Sequence, residues 1–173
     1  MRKGIPSKRI IRIFGQAIFI RRGGYCLEFG VYKGETKKIL SKFVNKVYGF
    51  DSFEGVQKDW RWDIDMKFFD LSGKLPKLPN NIELIVGYFE DTLPKFVENM
   101  NGNVTFLHID SGIYDSANFV LKTLEKKIVP KTVIVFDEYW NYPNWEQHEH
   151  RAFSEFIDRT GYKLSPLHLN IYP

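Results

Sequence analysis

Residues 26–40, CLEFGVYKGETKKIL, decide how the chain is to be read. An apolar run closes on an acid, Glu28, passes through a turn spaced by Gly30 and Gly34, and continues as a helix. GYCLEFG reads as a short buried strand, and ETKKILSKFV as a helix with Ile39, Leu40 and Phe43 on one face and lysines opposite. Glycines at 30 and 34 let the backbone turn tightly and approach a ligand closely. The helix that follows presents its free N–H groups and the positive end of its dipole.

Outward from this unit the alternation repeats. KVYGFDSFEG is a second apolar run that ends in an acid and a turn. IELIVGYF, NVTFLHID and TVIVFDE read as further strands. TLPKFVENM, entered through Pro94, SANFVLKTLEKKI and EQHEHRAFSEFIDRTG read as helices, the last stopped by Gly161, and LHLNIYP as a final strand. Residues 54–80 lack periodicity and carry Trp60, Trp62, Pro76 and Pro79, which predicts a long surface excursion of the kind that is usually functional or disordered. Strands alternating with helices predict an α/β fold with a mostly parallel, doubly wound sheet covered on both faces. Crossovers in such sheets are right-handed, and ligands sit beyond the carboxyl ends of the strands at the topological switch point. Glu28, Asp51, Asp110 and the pair Asp137–Glu138 all end strands, so the pattern gathers them on one rim.

At 173 residues the chain suits one domain with a real core. We expect a basic arm or helix over residues 1–22 and a single domain over 23–173. The formal net charge of +4 comes largely from the start, MRKGIPSKRIIRIFGQAIFIRR. This permits contact with a polyanion or membrane surface, though a solvated basic arm is the simpler reading. Arg12 interrupts the stretch, and the apolar piece after it is too short to span a bilayer. No small-residue cleavage site follows, so it does not read as a secretory signal. Cys26 is the only cysteine, cannot form an intramolecular disulfide and sits in a strand pattern, which fits a core position in a reducing, cytoplasmic setting.

The turn and the acids restrict the ligand. Asp51, at the end of the strand after the turn, suits the two hydroxyls of a ribose. A dinucleotide site would want G-x-G-x-x-G, whereas the chain has Gly30-Val31-Tyr32-Lys33-Gly34, with Glu28 just before it. An acid there disfavours a pyrophosphate and suits a cationic sulfonium and ammonium. This points to S-adenosylmethionine over NAD. No Gly-Lys-Ser/Thr follows, which excludes a P-loop.

LEFGVYKGET, VYGFDSFEG, VGYFEDTLP, FLHID and VIVFDEYWNYPNW, in this order, resemble the macrocin O-methyltransferase type of class I S-adenosylmethionine-dependent methyltransferase, from about Gly24 to Phe156. The resemblance implies a Rossmann-like sheet of about seven strands, the last antiparallel, and methyl transfer to a hydroxyl of a sugar, glycan or related small molecule. It implies that Glu28, Gly30, Tyr32 and Gly34 surround the methionine part of the cofactor, that Asp51 binds the ribose, and that Ser52, Phe53 and Phe89 flank the adenine. It further implies a magnesium ion held by Asp110, Asp137 and Glu138, with Asp110 otherwise placed for the cofactor's ammonium group. One departure stands out: HIDSGIYDSA carries Gly112 where the family often has a second acid.

Asp110, Asp137 and His108 are the catalytic candidates. His108 shares a strand face with Asp110, but inside FLHID it also reads as a hydrogen-bonded core residue. His148 and His150 are two apart on a predicted helix and make no metal pair. Trp60, Trp62, Tyr139, Trp140, Tyr142 and Trp145 offer faces for stacking on sugars or are ordinary loop packing. Two rival readings stay open: a catalytically degenerate binding protein on the same fold, and a nucleic-acid methyltransferase drawing on the basic start. The fold also leaves open a homodimer that completes the active site.

Overall fold

Apolar runs too short for helices pair as five strands in the computed structural model, which describes residues 23–56 and 66–165. They are β1 (Tyr25–Phe29), β2 (Val47–Asp51), β3 (Ile82–Val86), β4 (Val104–Ile109) and β5 (Ile128–Phe136). Their order is β3-β2-β1-β4-β5, with every neighbouring pair parallel. The chain steps outward from β1 through β2 and β3, then returns to lay β4 on the other side of β1. The switch point therefore lies between the carboxyl ends of β1 and β4, where the sequence pattern anticipates it.

The helices are α1 (Glu35–Leu40), α2 (Phe89–Glu98), α3 (Tyr114–Thr123) and α4 (Glu149–Thr160). Strand alternation divides the core in two. Leu27, Phe29, Leu107 and Ile109 point to one face and pack with Leu93 of α2, Ala117, Val120 and Leu121 of α3, and Ala152 and Phe156 of α4. Cys26, Val47, Phe106 and Val133 point to the other, under Leu40 of α1. Phe29 is stacked on Phe50 at 4.6 Å and meets Phe89 edge-on at 5.2 Å. Such a fully buried side chain contributes about 1.5–3 kcal/mol by leaving water.

Several boundaries differ from the sequence reading. Phe89, expected at a strand end, is the first residue of α2, and β3 stops at Val86. β5 begins at Ile128, ahead of the expected Thr132, whose hydroxyl bonds Val104 O and accepts the Val129 N–H across a shift in register. The last helix opens as a 3-10 turn over Trp145–Gln147 and becomes α-helical only at Glu149. Gly161, at φ 67°, ends it as anticipated. The sheet expected to hold about seven strands, one antiparallel, has five parallel strands among the described residues. The anticipated last strand over 167–173 lies outside them, as do the arm over 1–22 and both Trp60 and Trp62. No described helix is long and apolar enough to cross a membrane.

Candidate active site

The cleft opens where β1 and β4 end. The Asp110 N–H donates to Phe29 O at 2.8 Å, and the Gly30 N–H to Phe50 O at 3.0 Å, so three strand ends meet in one place. Gly30 has φ 93°, and a Cβ there would collide with the Asp110 carbonyl oxygen, so only glycine fits.

Asp51 fastens the turn. Its Oδ2 accepts the N–H groups of Val31 at 2.6 Å and Tyr32 at 2.9 Å, and its Oδ1 accepts that of Phe53 at 2.7 Å. Tyr32 and Phe53 sit at φ 48° and 60°, conformations that side-chain-bearing residues hold only when their surroundings fix them. A carboxylate offers about four lone-pair positions, so roughly one remains for a ligand. Around it Tyr32, Ser52, Phe69 and Phe89 line the same cleft, and the Tyr88 hydroxyl donates to Glu54 Oε2 at 2.8 Å.

Below the turn lies a buried ionic trio that faces away from the cleft. Lys37 Nζ stands 3.1 Å from Glu28 Oε2 and donates to Gly30 O at 3.0 Å, while Glu28 Oε1 is 3.0 Å from His108 Nδ1. Glu28 and His108 are register partners on β1 and β4, on the face that α1 covers. Burial acts to raise the Glu28 carboxyl, but Lys37 and His108 outweigh it and hold it below its ordinary range. Burial acts to lower His108, yet the Glu28 hydrogen bond and charge keep it raised.

Glu28, expected against a cationic cofactor, thus has its charge answered by Lys37 and does not line the cleft. His108, proposed as catalytic, is 2% exposed and does not line it either. Gly34 and the buried Phe53 also stand outside the lining, where they shape the turn and its partner loop. Lys37 was missed, although it lies three residues before Leu40 and so on the helix's apolar face.

The opposite wall carries acids. Asp110, Asp137 and Glu138 line it, and the Asp137 N–H donates to Ile109 O at 3.0 Å. Both aspartates reach cleft solvent. Enclosure first, and then the neighbouring Asp137 charge, push the Asp110 carboxyl well above its usual range, against the opposing pull of His108. Water in the cleft screens part of that effect. The described residues contain no group of three His, Cys, Asp or Glu side chains set to hold a metal. The three-ligand set expected of Asp110, Asp137 and Glu138 is therefore not preformed. They occupy two consecutive strand ends, and Glu138 is engaged through its backbone by the helix behind it.

That engagement comes from Glu149, which sequence reasoning missed. Fully buried, it accepts the N–H groups of Ser111 at 3.1 Å and Gly112 at 3.0 Å, and that of Glu138 at 3.3 Å. Burial pushes its carboxyl up to about 8 against the pull of the Gly112 and Ser111 amides. The available signal was an acid three, four and seven residues before Ala152, Phe153 and Phe156, on the apolar stripe of its helix. Gly112 also has a local reason: its φ of 70° favours glycine. The aromatic loop mostly packs on itself. Tyr142 stacks on His148, Trp145 meets His150 edge-on at 4.7 Å, and Tyr139 lies against Phe136, while Trp140 remains 39% exposed.

A glycine turn fastened by a strand-end acid at a parallel-sheet switch point matches a known family model, that of a methyltransferase domain, over residues 27–139. The chain belongs to this methyltransferase family. It is an S-adenosylmethionine-dependent methyltransferase of the class I fold. Among solved structures, the domain is similar to the O-methyltransferase NovP, at 19% identity over 90% of this chain and 72% of that one, with a TM-score of 0.64. It is also similar to CalS11, a calicheamicin methyltransferase, at 18% identity over 93% of this chain and 74% of that one, with a TM-score of 0.67. A third is an O-methyltransferase from Bacillus cereus in complex with SAH, at 16% identity, covering 88% and 68%, with a TM-score of 0.56. At these identities the likeness shows the shared fold of the methyltransferase domain. No curated protein matches the chain.

Proposed function

We propose that this methyltransferase domain is an O-methyltransferase of the macrocin type, acting on a hydroxyl of a sugar or related small molecule with the help of magnesium. The observation that carries the reading is the pairing of two unlike walls in one cleft: a glycine turn with Asp51 on one side, and Asp110 with Asp137 on the other. CalS11 is also described as a TDP-rhamnose 3'-O-methyltransferase, at 17% identity, which supports a sugar acceptor here.

The cofactor fits the first wall on the chain's own terms. Gly30 lets the ends of β1 and β4 close on each other at the cleft floor, where a Cβ would strike the Asp110 carbonyl, and Asp51 keeps an acceptor position beyond the three amides it binds. In this reading Asp51 binds the ribose, Ser52 and Phe89 border the adenine, and Gly30 and Tyr32 border the methionine part. When bound, the cofactor supplies an electrophilic methyl group on a sulfonium.

The second wall suits a cation. Magnesium is commonly held by one or two carboxylates together with substrate oxygens and water, so Asp110 and Asp137 suffice without a protein cage, with Glu138 beside them. When bound, the ion supplies Lewis acidity toward the acceptor hydroxyl. Asp110 and Asp137 would orient that hydroxyl, and the Asp110 carboxylate would take up its proton. His108, bonded to Glu28 on the face away from the cleft, does not meet the acceptor in this reading.

The test is calorimetric titration with S-adenosylhomocysteine, with NAD as control, in the presence and absence of magnesium, followed by a methyl-release assay on TDP-rhamnose. Selective binding of the homocysteine nucleoside and magnesium-dependent turnover are expected. Turnover that is equal in chelator and in magnesium would remove the ion from the reading.

A further inference from the structure

Among the described residues, Glu149 does something that the other buried acid, Glu28, does not. Oε1 takes the amides of Ser111 and Gly112, next to Asp110 at the end of β4, and Oε2 takes that of Glu138, next to Asp137 at the end of β5. One carboxyl group thus bridges the two loops that carry the acid wall. Its helix neighbours Ala152 and Phe156 are fully buried apolar residues, so an apolar side chain would suit the packing. It would leave three amides at an enclosed rim without their acceptor, at a cost the fold avoids by burying a carboxyl group there.

Ser111 is covalently joined to Asp110, and Glu138 to Asp137. A shift of either amide therefore moves a wall carboxylate. The separation of two carboxylates decides whether a small divalent ion, which demands near-ideal octahedral geometry, can sit between them. Metal affinity depends on such supporting hydrogen bonds, whose loss typically costs 10–100-fold.

We propose that Glu149 is a positioning residue that holds Asp110 and Asp137–Glu138 at the separation a divalent cation requires, without itself touching cofactor, cation or acceptor. The inference rests on the acid-wall reading above. Glu149→Gln is a selective probe: its amide oxygen still accepts from Ser111 and Gly112, while its NH2 meets the Glu138 N–H as donor against donor. Glu149→Ala removes the whole bridge.

The experiment measures Mn2+ affinity of protein saturated with S-adenosylhomocysteine, together with backbone amide exchange at positions 111, 112 and 138. Asp137→Asn serves as reference. Expected is a loss of at least tenfold in Mn2+ affinity in Glu149→Gln, with exchange protection lost at Glu138 and kept at Ser111 and Gly112. S-adenosylhomocysteine affinity stays within about twofold, a pattern that general unfolding would not produce. Wild-type Mn2+ affinity in both Glu149 variants, with Asp137→Asn defective, would overturn the positioning role and leave the acid wall standing. No Mn2+ binding by the unmodified protein, or undiminished binding in Asp137→Asn, would overturn the acid wall and this inference with it.

Discussion

The two walls of the cleft treat their acids in opposite ways. On the turn side, Asp51 is committed to the protein: three backbone amides converge on it, and the turn beneath is anchored by Lys37 through Gly30 O. On the acid side, Asp110 and Asp137 line the cleft close enough for their charges to act on each other, and the amides next to them are held from behind by Glu149. Where an acid is satisfied by its own fold, it acts as a fixed surface for a ligand. Where acids are left facing each other, the fold stores unfavourable charge that a bound cation or a proton relieves.

The largest expected effect comes from breaking the anchored side. Lys37→Met leaves Glu28 buried without its ammonium, and removing one partner of a buried pair costs about 3–5 kcal/mol. Denaturant unfolding should show that loss, with partial recovery when Glu28→Gln is added. A single variant as stable as the parent would mean the trio does not anchor the turn. Next in size, Asp51→Ala should weaken S-adenosylhomocysteine binding by about 1.5–3 kcal/mol, the worth of a hydrogen bond to a charged group, as read by calorimetry. Unchanged affinity would take Asp51 out of the ligand's reach.

The acid side should respond with the other sign. Asp137→Asn removes the charge facing Asp110, so the Asp110 carboxyl falls toward its ordinary range, detectable as a shifted carboxyl resonance in a pH titration. Because both groups reach solvent, the gain in stability at neutral pH is only about 0.5–1 kcal/mol. A less stable Asp137→Asn would contradict the idea of stored repulsion.

The last effect is read as a trend with pH. Glu149 ionises near 4.5 when unfolded and at about 8 when folded. Its contribution to stability is therefore complete below the unfolded value and is lost as pH rises through the folded one. The melting-temperature advantage of the parent over Glu149→Gln should shrink between about pH 5 and pH 9. A constant gap would show that the folded carboxyl already ionises at its ordinary value.

How far this could be read from the chain depended on whether a residue's role is local. Gly30, Asp51, Asp110 and Asp137 were legible because turns and strand ends are written in consecutive residues. Glu28 was assigned to the cofactor because its position before the turn is local, whereas the side chains that claim it, Lys37 and His108, come from α1 and from β4. Glu149 stayed hidden for a related reason: its partners are backbone amides more than thirty residues earlier and eleven residues earlier, and amides leave no trace in residue type. The described residues hold five strands where the family pattern implied about seven.

Gly49 has no turn to make. It lies within β2 and pairs with Glu28, and a Cβ there would collide with Lys37 Cε and stand 3.2 Å from Val31 Cγ2. The bare backbone of β2 is thus the socket into which the lysine fits. Any side chain at 49 evicts Lys37, a shorter residue at 37 strands Glu28, and a neutral residue at 28 releases His108. Positions 28, 37, 49 and 108 therefore form one mutational unit, in which single steps are penalised and only coordinated replacements are open to drift or to redesign.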